Sequence, residues 1–244
     1  MKKNVIITGA NRGIGKAIVE KFASKQCNIW ACMREKNTSF EKYLCELSGQ
    51  YDIWIKPIYF DLTDQEAIKE GIKQIISEKL NIDVLVNNAG INIYSLFQMT
   101  KIEDAKKLFE IDYFAPFLIM QLVLKRMTKQ KSGDIINLSS IAALDSHAGD
   151  AVYGSAKAAL LTLSKAIATE VGTYGIRVNV VAPGPVETEM IQTNINKIGE
   201  QVVSNSIMKR LAKPEEVADV VYYLTSEEAS FVNGQVIRVD GGIK

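Results

Sequence analysis

Val5-Ile6-Ile7-Thr8-Gly9-Ala10-Asn11-Arg12-Gly13-Ile14-Gly15 lies near the start of a 244-residue chain. Its order decides the fold: an apolar β-branched run, a glycine turn, then a helix. The glycines stand where backbone approaches a neighbour closely. The helix that begins at Gly13 offers free N–H groups and a positive dipole end to an anion, most simply a dinucleotide pyrophosphate. The spacing is G-x-x-x-G-x-G, so the strict G-x-G-x-x-G fingerprint is not met. A tight turn that packs a helix on a strand reads the same cluster with no ligand.

Outward from this unit the pattern repeats. Short β-branched runs near Val5–Thr8, Ile29–Met33, Trp54–Tyr59, Val84–Asn87, Ile135–Ser139, Val178–Ala182 and Val236–Val239 read as strands. Stretches with apolar residues three and four apart, near Gly13–Ser24, Phe40–Leu47, Asp64–Lys79, Glu103–Met127, Ala151–Tyr174 and Glu215–Leu224, read as helices. Thr63-Asp64-Gln65-Glu66 reads as a capping box for the third helix. The strands are continuous apolar runs, as a parallel sheet covered on both faces requires. The expected fold is α/β: one doubly wound, Rossmann-type parallel sheet of seven strands with helices on both faces. It forms a single domain over residues 1–244, because no linker or repeat interrupts the alternation. The irregular stretches Ile141–Gly149 and Pro183–Arg210 follow strand C-termini, where such sheets bind ligands.

Composition narrows the function classes. With 29 basic against 28 acidic side chains the chain has a formal charge of +1, which argues against nucleic acid or an anionic membrane surface as a partner. One histidine, His147, and three cysteines, Cys27, Cys32 and Cys45, without C-x-x-C spacing supply neither a zinc site nor a histidine triad, so no metal is expected. The cysteines fit reduced thiols in a cytoplasmic compartment. Only Val5 to Ile7 follow Lys2-Lys3 before the glycine turn, too few for a signal-peptide core. The longest apolar run, Tyr113 to Leu124, falls short of the ~20 residues of a membrane span. A small-molecule partner is expected.

Tyr153 and Lys157 are four apart near a helix start, so they share a face. An ammonium beside a phenol favours the phenolate and lowers a pKa that starts near ~10, which suits proton transfer near neutrality. In a chain with 9 tyrosines roughly one such pair arises by chance. A half-buried aromatic with a solvated helix charge is therefore the alternative. Ser140, thirteen residues upstream of Tyr153, lies on the ligand edge of the sheet. It is either a holder of a substrate oxygen or a turn residue.

These residues together resemble the short-chain dehydrogenase/reductase family over nearly the whole chain. The likeness includes the glycine turn, Asn87-Asn88-Ala89-Gly90, Ser140, Tyr153-x-x-x-Lys157, Pro183-Gly184-x-x-x-Thr188 and Asp240-Gly241-Gly242. It implies that Tyr153 is the general acid, that Ser140 holds the carbonyl oxygen, and that Lys157 binds the nicotinamide ribose. Gly9, Asn11, Gly13, Ile14 and Gly15 would then hold the pyrophosphate. Asn88, Ala89 and Gly90 would line the ribose, Pro183 and Gly184 with Val186 and Thr188 the nicotinamide side, and Asp61 with Leu62 the adenine. Asp61 reads equally as part of an Asp-x-x-Asp helix start. Asp112 occupies the family's fourth catalytic position, normally Asn. That residue's backbone carbonyl holds a water in the family's proton relay. Pro116 has no N–H to occupy the Asp112 carbonyl, which keeps that role open. An ionised Asp112 near Lys157 would change the pH profile.

NAD selectivity usually needs a carboxylate at the end of the second strand, whereas NADP needs cations for its 2′-phosphate. Met33 stands at the acid position. Arg34 and Arg12 favour NADP(H), and Glu35 keeps NAD(H) possible.

Within the family the chain is most similar to the 3-oxoacyl-acyl-carrier-protein reductases. That likeness implies an NADPH-dependent carbonyl reductase of fatty acid biosynthesis, acting on a 3-oxoacyl thioester and assembling as a homotetramer, or else a dimer. Those reductases place basic residues beside the cleft for the acidic carrier. Lys131 would serve, but Tyr174 stands where a second base is expected. Another carbonyl or alcohol, such as a sugar, ring ketone or quinone, and a non-catalytic NADP-binding regulator are the alternatives. The stretch 184–210, with Ile191, Ile195, Ile198, Val202, Val203 and Ile207, reads as a lid over an apolar substrate or as an amphipathic surface helix. His147 reads as a surface residue or a contact in the other flanking loop.

Overall fold

A computed structural model of the chain describes residues 2–145, 147–189, 191 and 206–243. Its strands are β1 (Asn4–Thr8), β2 (Asn28–Met33), β3 (Ile55–Tyr59), β4 (Val84–Asn87), β5 (Gly133–Leu138), β6 (Ile176–Pro183) and β7 (Val236–Val239). All pair in parallel, in the order β3-β2-β1-β4-β5-β6-β7. Each strand expected from the sequence is present. The helices are α1 (Gly13–Ser24), α2 (Thr38–Tyr51), α3 (Gln65–Ser77), α4 (Ile102–Phe109), α5 (Ala115–Gln130), α6 (Ala151–Val171) and α7 (Pro214–Leu224).

The sheet divides its side chains between two cores. Val5 and Ile7 of β1 face Ile18 and Phe22 of α1, Leu44 of α2 and Val221 of α7. Ile6, between them, faces Ile72 of α3, Val123 of α5 and Leu160 of α6. Successive strand residues point to opposite faces, so a sheet covered on both sides must be apolar at every position.

Two local expectations are corrected. The helix expected over Glu103–Met127 is divided at Glu110–Phe114 by a π turn, in which the Ala115 N–H bonds to the Glu110 carbonyl. Pro116 cannot donate to the carbonyl of Asp112, and the backbone widens into the π turn just before it. The N-cap of α3 is Asp64, not Thr63: its carboxylate accepts from the N–H groups of Glu66 (2.9 Å) and Ala67 (3.1 Å). A carboxylate at this position also meets the positive helix end. Thr63 instead donates its hydroxyl to Asp61 at 2.8 Å.

At the N-terminal edge of the strands, Arg177 ties the end of α7 to the sheet. Its Nη1 donates to the carbonyls of Leu224 (2.9 Å), Ala229 (2.6 Å) and Val232 (3.2 Å), and its Nη2 lies 2.7 Å from the Asp134 carboxylate. Burial raises Asp134 to about 6, against the pull of Arg177 and Lys3. Arg177→Leu removes three bonds to the end of α7 and the loop after it and leaves the Asp134 carboxylate only Lys3, at 4.0 Å, so a loss of about 3 kcal/mol or more is expected. That corresponds to a drop in Tm of roughly 6–12 °C. Calorimetry checks this, and a change under 2 °C would contradict the staple.

Candidate active site

The strand order reverses between β1 and β4, and ligands of open parallel sheets sit beyond the strand C-termini at such a reversal. The glycine turn fills this position. Gly9 and Gly13 have φ of +65° and +50°, a region that glycine enters without strain. A Cβ on Gly15 would lie 1.9 Å from the Gly9 carbonyl oxygen and 2.6 Å from Asn88 Nδ2. Asn88 belongs to this cradle as a strut: its amide donates to the carbonyls of Thr8 (2.9 Å) and Gly9 (3.2 Å). The Thr8 hydroxyl in turn accepts from the N–H groups of Asn88 (3.0 Å) and Ala89 (3.1 Å). The α1 N-terminus has no side-chain cap and no acid in its first turn. Its N–H groups and the adjoining glycines fit an anionic phosphate linkage.

At the ends of β5 and β6 the catalytic candidates converge. Ser140 caps the short 3-10 turn Ile141–Ala143, its Oγ accepting from the Ala142 N–H at 3.2 Å. Gly154 lets α6 press on that turn, since a Cβ there would lie 2.5 Å from the Ala142 carbonyl oxygen. Tyr153 is thereby held against Ser140. Lys157 is buried; its Nζ donates to the Leu138 carbonyl at 3.1 Å and lies 5.8 Å from the Tyr153 ring centre. Ser139 anchors this turn of α6 by donating to the Lys157 carbonyl at 3.0 Å.

The phenol of Tyr153 is held above its ordinary pKa, the reverse of what Lys157 alone would do. Burial is the largest cause and the Asp112 charge adds to it; a hydrogen bond from Ser140 opposes it, and Asp150 adds again. Asp112, in the π turn, is fully buried. It accepts the Ile91 N–H at 3.0 Å through Oδ1, and its Oδ2 is 3.8 Å from Lys157 Nζ. Burial raises its pKa, opposed by Lys157 and the Ile91 N–H.

Sequence reasoning missed Asp150. It stands three residues before Tyr153, hence on the same helical face. It occupies the N-cap of α6 without capping it, and burial raises its pKa against the pull of His147. His147 itself is exposed.

The remaining candidates ring this centre. Arg12 and Arg34 are exposed, and each is already paired: Arg12 with Glu189 at 3.2 Å and Arg34 with Glu35 at 2.9 Å. Asp61 serves a turn, accepting from the Thr63 N–H at 2.8 Å; that bond leads the causes holding it below the usual carboxylate range, with Arg34 among the rest. Leu62, beside it, is half-buried. Pro183 ends β6, and Gly184 is pressed on the Asp240 backbone, where a Cβ would lie 2.9 Å from Cα. Val186 is buried, and Thr188 meets Gly13, whose Cβ would lie 3.1 Å from Thr188 Cγ2.

Lys131 and Tyr174 are corrected. They precede β5 and β6, at the strand N-termini, so within one chain they lie on the sheet edge opposite the cleft. Residues 190 and 192–205 of the expected lid, with Ile195, Ile198, Val202 and Val203, lie outside the described residues. Ile207 and Met208, at its far end, are exposed.

A family model described as Enoyl-(Acyl carrier protein) reductase matches residues 9–244. The 3-oxoacyl-acyl-carrier-protein reductase of Thermotoga maritima is 37% identical over 99% of this chain and 97% of its own. Among solved structures, "ElxO with NADP Bound" superposes with a TM-score of 0.88 at 35% identity, covering 99% of this chain and 98% of that one. A 3-oxoacyl-acyl-carrier-protein reductase of Brucella melitensis with bound NAD gives a TM-score of 0.87 at 32% identity, covering 99% and 90%.

Proposed function

The chain belongs to the short-chain dehydrogenase/reductase family of oxidoreductases, and from that premise we propose that it is an NADPH-dependent carbonyl reductase whose substrate is a 3-oxoacyl thioester. The observation that carries this reading is the Ser140–Tyr153–Lys157 cluster at the strand ends, beside a glycine cradle at the sheet's reversal point. A pure cofactor sensor has use for the cradle but none for a proton donor.

In this reading the glycine turn and the α1 N-terminus hold the pyrophosphate, Lys157 the ribose, Val186 and Thr188 the nicotinamide side, and Arg12 with Arg34 the 2′-phosphate. Ala89, Gly90, Pro183, Gly184, Asp61 and Leu62 complete the walls. The bound nicotinamide supplies hydride to the carbonyl carbon. Ser140 donates a hydrogen bond to the carbonyl oxygen and fixes it against the phenol. Tyr153 then gives its proton to that oxygen, and Lys157, beneath the ring, stabilises the phenolate left behind.

NADP(H) is preferred because Met33 stands where an NAD enzyme places an acid and two arginines, Arg34 beside it and Arg12 in the glycine turn, supply cations, with Glu35 leaving NAD(H) as a weaker cofactor. Each arginine exchanges its glutamate partner for phosphate. Arg34→Glu is expected to lower kcat/KM for NADPH about tenfold or more while NADH improves or holds. An unchanged ratio of the two removes Arg34 from the site.

Several observations support the wider reading. The Thermotoga maritima relative acts on carrier-linked substrates by its name, which favours the thioester. Tyr174 and Lys131, away from the cleft, favour a second reading, a carbonyl substrate free of any carrier. Phe114 and Phe117 of the π turn and α5 are 47% and 39% exposed, which supports self-association through that face, as a homotetramer or dimer. No described helix is long and apolar enough to cross a membrane, and the three cysteines are free thiols, which supports a cytoplasmic location.

NADPH consumption with a carrier-linked 3-oxoacyl substrate, its carrier-free thioester, a sugar, a ring ketone and a quinone, with Tyr153→Phe as blank, tests the activity and the substrate. Preference for the thioesters supports the proposal. Turnover of another carbonyl alone selects the second reading. NADPH binding without any turnover would leave a non-catalytic regulator.

A further inference from the structure

Asp112 and Lys157 face each other on the floor of the site, closed to solvent at 0% and 4% exposure. One carboxylate oxygen is fixed by the Ile91 N–H at 3.0 Å. The other has no hydrogen-bond partner and lies 3.8 Å from Lys157 Nζ. Gly90 makes this approach possible, since a Cβ there would lie 2.7 Å from Asp112 Oδ1 and 3.1 Å from Lys157 Nζ.

We propose that Asp112 is a positioning residue that sets the charge of the site: by pairing with Lys157 out of reach of water, it cancels the cation beneath Tyr153 and keeps that tyrosine protonated. The proposal rests on the carbonyl-reductase reading above. It concerns the side chain, which no amide at this position would imitate.

Net charge beneath the ring sets the state of the phenol. A lone ammonium near a phenol stabilises the phenolate. Burial raises the Asp112 carboxyl, while Lys157 and the Ile91 N–H favour its charged form; ionised, it leaves the pair without net charge, and with little water between the groups the cancellation is felt at the ring. The other groups facing the phenol reinforce this balance. From the start of α6, Asp150 adds negative charge, moderated by His147; from the turn after β5, Ser140 supplies only a neutral hydroxyl. Burial is the largest cause of the raised Tyr153 pKa, and the Asp112 and Asp150 charges add to it.

The chemical consequence is directional. In reduction the Tyr153 O–H bond breaks and its proton passes to the carbonyl oxygen, while the carbonyl carbon takes the hydride that a reduced nicotinamide supplies. The carbonyl becomes an alcohol and the nicotinamide is oxidised. The reverse reaction begins from the phenolate. A phenol that holds its proton to high pH therefore widens the reducing range and narrows the oxidising one.

The test compares the protein with Asp112→Asn, which keeps shape and removes charge. Ultraviolet titration of the phenolate, with each protein's Tyr153→Phe counterpart subtracted, reads the phenol without cofactor or substrate. In Asp112→Asn the phenolate is expected at least about one pH unit lower, and the alkaline limb of kcat/KM for reduction moves in the same direction. Superimposed titrations would overturn the proposal. Should Asp112→Asn fail to fold, Asp112→Ser reads the same charge removal: a phenolate at least about one pH unit lower supports the proposal and an unchanged titration refutes it. A silent carbonyl panel would instead refute the reductase reading and leave the titration standing.

Discussion

Tyr153→Phe is expected to lower kcat for carbonyl reduction by about 10²–10⁴-fold, the usual contribution of a positioned general acid. The ring that packs near Lys157 is kept, and the proton donor alone is lost. Ser140 still meets the substrate oxygen and the glycine cradle is untouched, so NADPH affinity should change little. Stopped-flow absorbance gives the rate and cofactor fluorescence gives the affinity. A variant that keeps its rate within tenfold would show that Tyr153 is not the acid. The unaltered protein should also hold its reductive rate well into the alkaline range. The acid form is the active one for reduction, and a raised phenol pKa preserves it to higher pH.

Gly15→Ala is expected to abolish cofactor binding in practice. Its Cβ would fall 1.9 Å from the Gly9 carbonyl oxygen, and Asn88 Nδ2 closes the other side at 2.6 Å. Gly9, at φ +65°, is itself held in a left-handed turn. Nothing can give way without moving the phosphate cradle. Overpacking of this kind costs about 1–3 kcal/mol or more, and a cradle displaced by 1 Å loses about a hundredfold in function. Isothermal titration with NADPH and a thermal melt read the two effects together. Gly49→Ala serves as control: with nothing within 4 Å of the added methyl, it should leave binding intact and raise stability by up to about 1 kcal/mol. Equal behaviour of the two variants would count against the cradle.

Much of this molecule can be read in the sequence because its physics is local. The strands are legible since burial on both faces demands unbroken apolar runs. The glycine turn is legible since only glycine tolerates its backbone. Where reading failed, a competing local preference was at work. Apolar periodicity passes straight through Glu110–Phe114 and hides the π turn; Pro116 was the signal, read for the carbonyl it frees but not for the backbone it widens. Thr63 and Asp64 both suit an N-cap, and the charged one prevails. In the site, Lys157 alone suggests a depressed phenol pKa, whereas the fold adds Asp112 from a turn far away in sequence and Asp150 from the same helix. The spacing of Asp150 from Tyr153 was visible; its failure to cap α6 was not. Lys131 and Tyr174 stand beside a strand each, but only the strand direction tells which end.

The Arg177 staple and the phosphate cradle occupy opposite ends of the same sheet. Changes that retune the chemistry at one end therefore spend none of the contacts that hold the other. This separation gives the scaffold evolvability: a destabilising switch of substrate or cofactor at the cleft can be offset by reinforcing the far edge, about Asp134, Lys3 and the end of α7, without touching a reacting group. A directed-evolution campaign should find its compensating substitutions there.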